Sequence, residues 1–281
     1  MKKIRTLIAI IISLLLTSLL LSGCESVLVS RRGDKGTGEI ETRQFTVTEF
    51  TSVDIGSAFS YEIGQADTYS VSITANSNMF EELKVAKVGQ TLKIEREKVS
   101  RPLAPLALFD RDSERPKAII NMPQLTSLYS SDATSGAVYG FSSMEDLDIR
   151  VSGASSLEVE EMTTGSMYLN ISGASSVIGV LESEDMDVYI SGASSIQLEG
   201  SAGDISIQAS GASTVRLADL TVNDADVVLS GASVCTLRLN GKKLDADLSG
   251  ASTLDYSGEP MTGIIKTSGA SVLNKKSSDM L

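Results

Sequence analysis

From residue 147 onward, apolar and polar residues alternate, and the alternation itself recurs. Leu147, Ile149 and Val151 are apolar, while Asp148 and Arg150 between them are polar. The same beat returns at Met167, Leu169 and Ile171 and again at Met186, Val188 and Ile190. Each run leads into Ser-Gly-Ala-Ser, after which alternation resumes with Leu157 and Val159, Ile196 and Leu198, Val215 and Leu217, Leu254 and Tyr256. A period of two marks a strand with one buried face. Each unit therefore reads as a strand, a tight corner, a second strand and a more variable return.

The corner glycines are Gly153, Gly173, Gly192, Gly211, Gly231, Gly250 and Gly269, so the steps between them are 20, 19, 19, 20, 19 and 19 residues. Self-similarity at this period means one structural unit copied and stacked. Nineteen or twenty residues holding two strands leave no room for a crossover helix, so each strand is expected to pair in parallel with its copy in the next coil, about 4.8 Å away. The predicted fold is all-β, a parallel β-helix, right-handed because parallel crossovers almost always are. At the corners, Gly suits a left-handed backbone or close approach of the next coil. Ala in every copy is expected to fill the inside of the bend, with the Ser hydroxyls bonding to turn backbone or the adjoining coil. The serines are not read as nucleophiles: none has a positioned base, and no site needs seven copies.

The helix is expected to span 117–281 with about eight coils: Ser131-Asp132-Ala133-Thr134 looks like a degenerate corner, and Lys117 to Pro123 like a still earlier strand. At the far end Lys266, Lys275 and Lys276 interrupt the apolar columns, as a polar cap would. Residues 40–116 are β-patterned without the repeat, with candidate strands at 45–48, 52–55, 59–63, 69–74, 83–86 and 91–95 and a helical turn near 77–83. An open β-helix end exposes strand edges, so this stretch reads as a head covering the first coil. Residues 97–116, with Arg101-Pro102, Pro105 and Arg115-Pro116, read as a solvated charged loop, although 103–109 is apolar enough for a contact patch.

The first 23 residues carry Lys2, Lys3 and Arg5, an apolar run from Leu7 to Leu21, and then Leu21-Ser22-Gly23 before Cys24. That is the layout of a secretory signal, and Leu21-Ser22-Gly23-Cys24 resembles the lipobox of bacterial lipoproteins. The resemblance implies acylation of Cys24, anchoring of the chain at a membrane, export to the cell envelope and residence at the outer membrane or cell surface. Glu25 does not resemble the aspartate that retains some lipoproteins at the inner membrane. Residues 24–39, with Gly33, Gly36 and Gly38, read as a tether; those glycines follow no strand and lack phosphate-loop spacing.

Charge and residue inventory narrow the function. The chain has 24 basic and 36 acidic residues; loss of the signal would leave 21 against 36, a net charge of −15. Such a surface repels nucleic acid, which is not an expected partner. With Cys24 acylated, Cys235 has no disulfide partner; it sits in register with Leu157, Val177, Ile196, Val215 and Leu254 and is expected in the core. Histidine is absent, which removes the commonest general base and transition-metal ligand. No metal or cofactor is expected.

The 45–63 pattern, the segment Ala118-Ile119-Ile120-Asn121-Met122-Pro123 and the Ser-Gly-Ala-Ser corners from Ser152 onward together resemble a bacterial family of β-helical proteins, the auto-transporter adhesins with a head GIN domain. The resemblance covers roughly residues 40 to 275. It implies adhesion at the cell surface and supplies no catalytic residues. An auto-transporter ends in a membrane barrel, whereas this sequence ends after its last coil, so a lipid anchor is expected to serve instead.

One outward column stands out, five residues before each corner glycine: Asp148, Tyr168, Asp187, Ser206, Asp226 and Asp245, with Asp247 also outward. Asp148, Asp187, Asp226, Asp245 and Asp247 form a candidate ligand or cation face, set against the plainer reading of a solvated acidic surface. Paired carboxylates on adjacent coils are what a β-helical polysaccharide enzyme would use, but short returns build no cleft, and the chain is not expected to be an enzyme. Tyr168 and Tyr189 could stack on sugars, yet they fall in different columns. The expected role is a non-catalytic surface binding module facing glycan, matrix or an envelope protein. A structural envelope lipoprotein without a specific ligand is the alternative, and oligomeric state is left open.

Overall fold

The computed structural model describes residues 38–97 and 115–277. The signal with Cys24, the tether up to residue 37 and the apolar patch at 103–109 lie outside the described residues.

Around each Ser-Gly-Ala-Ser the chain runs as two strands separated by a corner, and successive copies pair in parallel. Leu147–Val151 pairs residue for residue with Met167–Ile171, which pairs with Met186 to Ile190 and so on up the stack. After the corner, Ser156 to Val159 lies over Ser176 to Gly179, and those over Ser195 to Leu198. The repeat region winds about seven turns into a solenoid. Inward positions stack into columns: Ile149, Leu169, Val188, Ile207, Val227 and Ala246 are all essentially inaccessible. Cys235 falls between Val215 and Leu254 as its register requires, fully buried. There burial pushes the thiol up to about 12, so it is an inert core residue rather than a nucleophile.

At the corners every glycine has a positive φ, from 69° to 82°. The alanine N–H of each corner from Ala174 onward donates to the glycine carbonyl of the turn before it, at 2.7–2.8 Å. A Cβ added to Gly211 would sit 2.6 Å from the Gly192 carbonyl oxygen. Glycine is thus required twice, for its left-handed backbone and for the carbonyl pressed against it.

The expected inside filler, alanine, is wrong. Ala154 and Ala174 are exposed, and the second serine is the buried one, 2% accessible at Ser155 and Ser175 and inaccessible at Ser252. The physical reason is hydrogen bonding. Ser175 Oγ donates to the Ser172 carbonyl at 2.8 Å and accepts the Ser155 N–H at 3.4 Å, satisfying polar backbone inside the bend as no methyl could. The same donation across the corner recurs at Ser155, Ser213, Ser233, Ser252 and Ser271.

Beneath the repeats, chain order and stacking order part company. Ser52–Ile55 and Ser60–Gln65, read from sequence as part of a separate head, are themselves a coil of the helix. They pair in parallel with Ser127–Ser130 and Ser135–Tyr139 on one side and with Thr91–Arg96 and Lys117–Met122 on the other. The coil at 52–65 is therefore sandwiched between two later segments, and the solenoid does not begin at 117. What covers the end is smaller: Leu83–Val88 runs antiparallel on Thr91–Arg96, and Ser70–Asn76 runs antiparallel on Lys117–Met122. Ile40–Phe45, outermost, pairs antiparallel with Ser70–Asn76. That strand lies earlier than the expected 45–48, because Ile40 to Phe45 finds a partner in register. The expected helical turn is a single 3-10 turn at Ser77–Met79.

At the opposite end Met261–Thr267 and Val272–Lys275 each pair on one side only among the described residues. Met261 and Ile264 are exposed, so this end is less polar than a cap was expected to be.

Candidate functional site

Strands place their outward residues in ladders. On the face that precedes the corners, one ladder reads Ser127, Asp148, Tyr168, Asp187, Ser206, Asp226, Asp245. The ladder beside it, two residues along, reads Asp54, Tyr129, Arg150, Asn170, Tyr189, Gln208, Val228, Asp247. The acidic column is thus real as a column.

Its carboxylates do not act as one group. Asp148 holds Arg150 with both oxygens, at 3.0 Å to Nε and 2.8 Å to Nη2. This hydrogen bond raises the guanidinium's pKa further above its already high ordinary value. Asp245 pairs with Lys243 and accepts the Ile264 N–H, and the two bonds, the lysine's first, hold its carboxyl below the usual range. Asp247 faces Lys266 at 3.8 Å. Asp187 lies between Tyr168 and Ser206 in its ladder. Among the described residues no three acidic, cysteine or histidine side chains converge on a point where an ion could be held. Adjacent ladder positions point the same way and side by side, which suits a charged face better than a coordination cage.

A second run of aspartates, two positions earlier, escaped the sequence reading. Asp146, Asp185, Asp204 and Asp224 each accept a backbone N–H of the next turn, at 2.7 to 3.3 Å. With the Asp148 column they wall a groove of about 710 Å³ along the stack, floored by Leu147, Met167, Met186, Ile205 and Ala225. Because these carboxylates cap turn amides that would otherwise lack partners, packing of the turns accounts for them.

The most organised surface cluster lies where the two ladders meet. The Tyr168 and Tyr189 rings have centroids 5.2 Å apart with planes tilted by 36°. The Arg150 guanidinium sits 5.3 Å from the Tyr129 ring and 5.5 Å from the Tyr168 ring. Asn170 Nδ2 donates to the Tyr168 hydroxyl at 3.4 Å. Different columns did not separate Tyr168 from Tyr189, as expected from the sequence, because diagonal neighbours on a sheet stay within reach of aromatic side chains. Tyr129 and Arg150 were missed altogether. Their signal was available: counted back from the corner, Tyr129, Arg150, Asn170 and Tyr189 occupy the same place in successive copies. The result is an outward row of half-buried tyrosines interleaved with hydrogen-bonding groups, with the Arg150 side chain 49% exposed.

A family model described as "Putative auto-transporter adhesin, head GIN domain" matches residues 49–260. No curated protein matches. Among solved structures, a putative adhesin from Parabacteroides distasonis superposes with a TM-score of 0.75 at 18% identity, covering 86% of this chain and 99% of that one. A putative adhesin from Parabacteroides merdae gives 0.75 at 15% identity over 86% and 98% of the two chains. A putative lipid binding protein from Parabacteroides distasonis gives 0.72 at 18% identity over 85% and 98%. At these identities the likeness is one of fold.

Proposed function

The chain belongs to the family of auto-transporter adhesins with a head GIN domain, and on that premise we propose that it is a non-catalytic binding module of the cell envelope, held at the membrane by lipid on Cys24. The observation that carries this reading is the cluster of Tyr129, Arg150, Tyr168 and Tyr189 on an otherwise acidic solenoid. The arginine is exposed and the three tyrosines are half-buried beside it, and aromatic and arginine side chains are what recognition surfaces are enriched in. Nothing in the core of the coil demands rings at these outward places, which hold Ser206, Gln208 and Val228 in later copies. The stack offers outward ladders beside an open groove rather than a closing cleft, which suits adhesion to an extended partner better than turnover of a bound one.

Two measurements test the reading. Fractionation of cells expressing the full chain and its Cys24→Ser variant should place the first with membranes and the second in the soluble fraction; equal membrane association would remove the anchor. Binding of the purified protein to immobilised glycans and matrix proteins should exceed that of an unrelated acidic protein of similar charge. Silence on both surfaces would leave the alternative, an envelope lipoprotein that only spaces or props its neighbours.

A further inference from the structure

We infer that the tyrosine cluster is a subsite for the ring of a neutral sugar, so that the glycan this module reads is uncharged; the inference rests on the binding role proposed above. A pyranose has an apolar C–H face and a rim of hydroxyls, and the cluster offers the complement of both. Tyr168 and Tyr189, 5.2 Å apart and inclined to each other by 36°, supply a half-buried aromatic surface, with Arg150 over the Tyr168 ring and Gln208 next to Tyr189 in its ladder. Around it stand donors and acceptors together: Asn170, the tyrosine hydroxyls, the Arg150 guanidinium and the Asp148 carboxylate.

Charge decides against the other ligands such a surface could take. Arg150 is the one cation in the cluster, and Asp148 already holds it with two hydrogen bonds. An acidic sugar would have to displace that carboxylate and approach Asp187 in a chain of formal net charge −12, which raises its cost at every step. An acyl chain would strip water from the flanking guanidinium and carboxylates with nothing to replace it. A neutral hydroxylated ring avoids both penalties.

The cluster is also held in place before any ligand arrives. Arg150 is fixed by Asp148 and lies between the Tyr129 and Tyr168 rings, while the strands beneath are locked by parallel pairing on both sides. Pre-ordered side chains lose less entropy on binding. The feature is confined to a few turns, since the same two ladders continue as Ser206, Gln208, Asp226 and Val228.

The test uses the detergent-solubilised full-length chain and its own fluorescence, because it has 7 tyrosines and no tryptophan to mask them. The probes are maltohexaose, cellohexaose, mannohexaose and laminarihexaose, against sialyllactose and trigalacturonate. At least one neutral probe should change tyrosine emission saturably, and Tyr168→Ala or Tyr189→Ala should weaken it roughly tenfold. Tyr189→Phe, which keeps the ring, should retain most of the affinity, and Val228→Ala, further along the same face, should retain all of it. Unchanged thermal melts by circular dichroism would show that these substitutions leave the fold intact. Preference for the acidic probes, no response to any neutral probe, or binding indifferent to both alanine variants would overturn the sugar subsite. Retention on immobilised matrix protein alongside any of those results would leave the binding module standing without it; loss of all binding would remove both.

Discussion

The repeat turns and the coil at residues 52–65 make the same cross-section by different means. In the repeats, space follows sequence: each strand meets a copy of itself 19 or 20 residues away, and every corner is Ser-Gly-Ala-Ser. In the N-terminal coil, Ser52 pairs with Ser127 and Thr91, partners 75 and 39 residues distant, and the corner is Gly56-Ser57-Ala58-Phe59. Where the repeats bury a serine, this corner buries Phe59. Where the repeats place a glycine at positive φ, it places Ser57 and Ala58, both at 61°. One architecture can thus be reached by copying a local rule or by long-range packing of unlike segments. Only the first leaves a periodic trace in the sequence.

The largest test of that contrast is a charge in the repeat core. Leu217 is inaccessible and lies against Leu237 of the next turn. Leu217→Asp should cost more than about 4 kcal/mol, since an unpaired carboxylate would be buried in an apolar column. In a solenoid, each turn contacts only its neighbours. Amide exchange should therefore show protection lost first in the turns around residue 217 and retained in the coil at 52–65. Uniform loss would mean that the two regions form one cooperative unit, and an unchanged urea midpoint would break the register itself.

A glycine comparison comes next in size. Gly211 and Gly153 both have positive φ, but a Cβ on Gly211 meets a carbonyl oxygen at 2.6 Å while one on Gly153 meets the Asp132 backbone nitrogen at 3.1 Å. Gly211→Ala should cost about 2–3 kcal/mol and Gly153→Ala nearer 1. The difference isolates the tight stacking of identical corners from backbone strain alone. Equal losses in denaturant melts would show that strain accounts for everything.

Smaller still is the serine within the bend. Ser175→Ala removes a buried donor to the Ser172 carbonyl and an acceptor for the Ser155 N–H, and should cost about 1–2 kcal/mol. Ala174→Ser, on the exposed residue beside it, should stay within about 0.5 kcal/mol. Reversed magnitudes in thermal melts would restore alanine to the inside of the corner.

What could be read beforehand follows the same divide. Strand alternation, corner glycines and the buried place of Cys235 were legible because each is set by contacts at one fixed spacing. The sandwiched coil at 52–65 was not, since its strands were recognisable but their partners lay beyond any local pattern. The corner was half legible. Small residues marked the bend, but which of Ala154 and Ser155 faces inward depends on the path of the backbone, and burial of a hydroxyl is decided by the carbonyl it reaches. The acidic column was legible as a column, while the tyrosine cluster needed diagonal contacts between ladders that column-by-column reading omits.

The finest comparison places one substitution at one corner position in the degenerate turn that stacks on the 52–65 coil and in the first full repeat. Ala133 and Ala154 stack in the same place, because Ser130 pairs with Val151 and Ser135 with Ser156 on either side of the bend. Their backbones differ. Ala133 has a φ of 67°, following Asp132 at 58°, whereas Ala154 lies outside the positive region and leaves that role to Gly153. A left-handed conformation is strained for alanine and free for glycine, while elsewhere glycine only adds entropy to the unfolded chain. Ala133→Gly should therefore stabilise by up to about 1 kcal/mol, and Ala154→Gly should destabilise by about 0.5–1 kcal/mol. Urea midpoints moving in opposite directions would show that the two corners reach one stacked geometry through different backbones; shifts of the same sign would show that the degenerate corner follows the rule of the repeats after all.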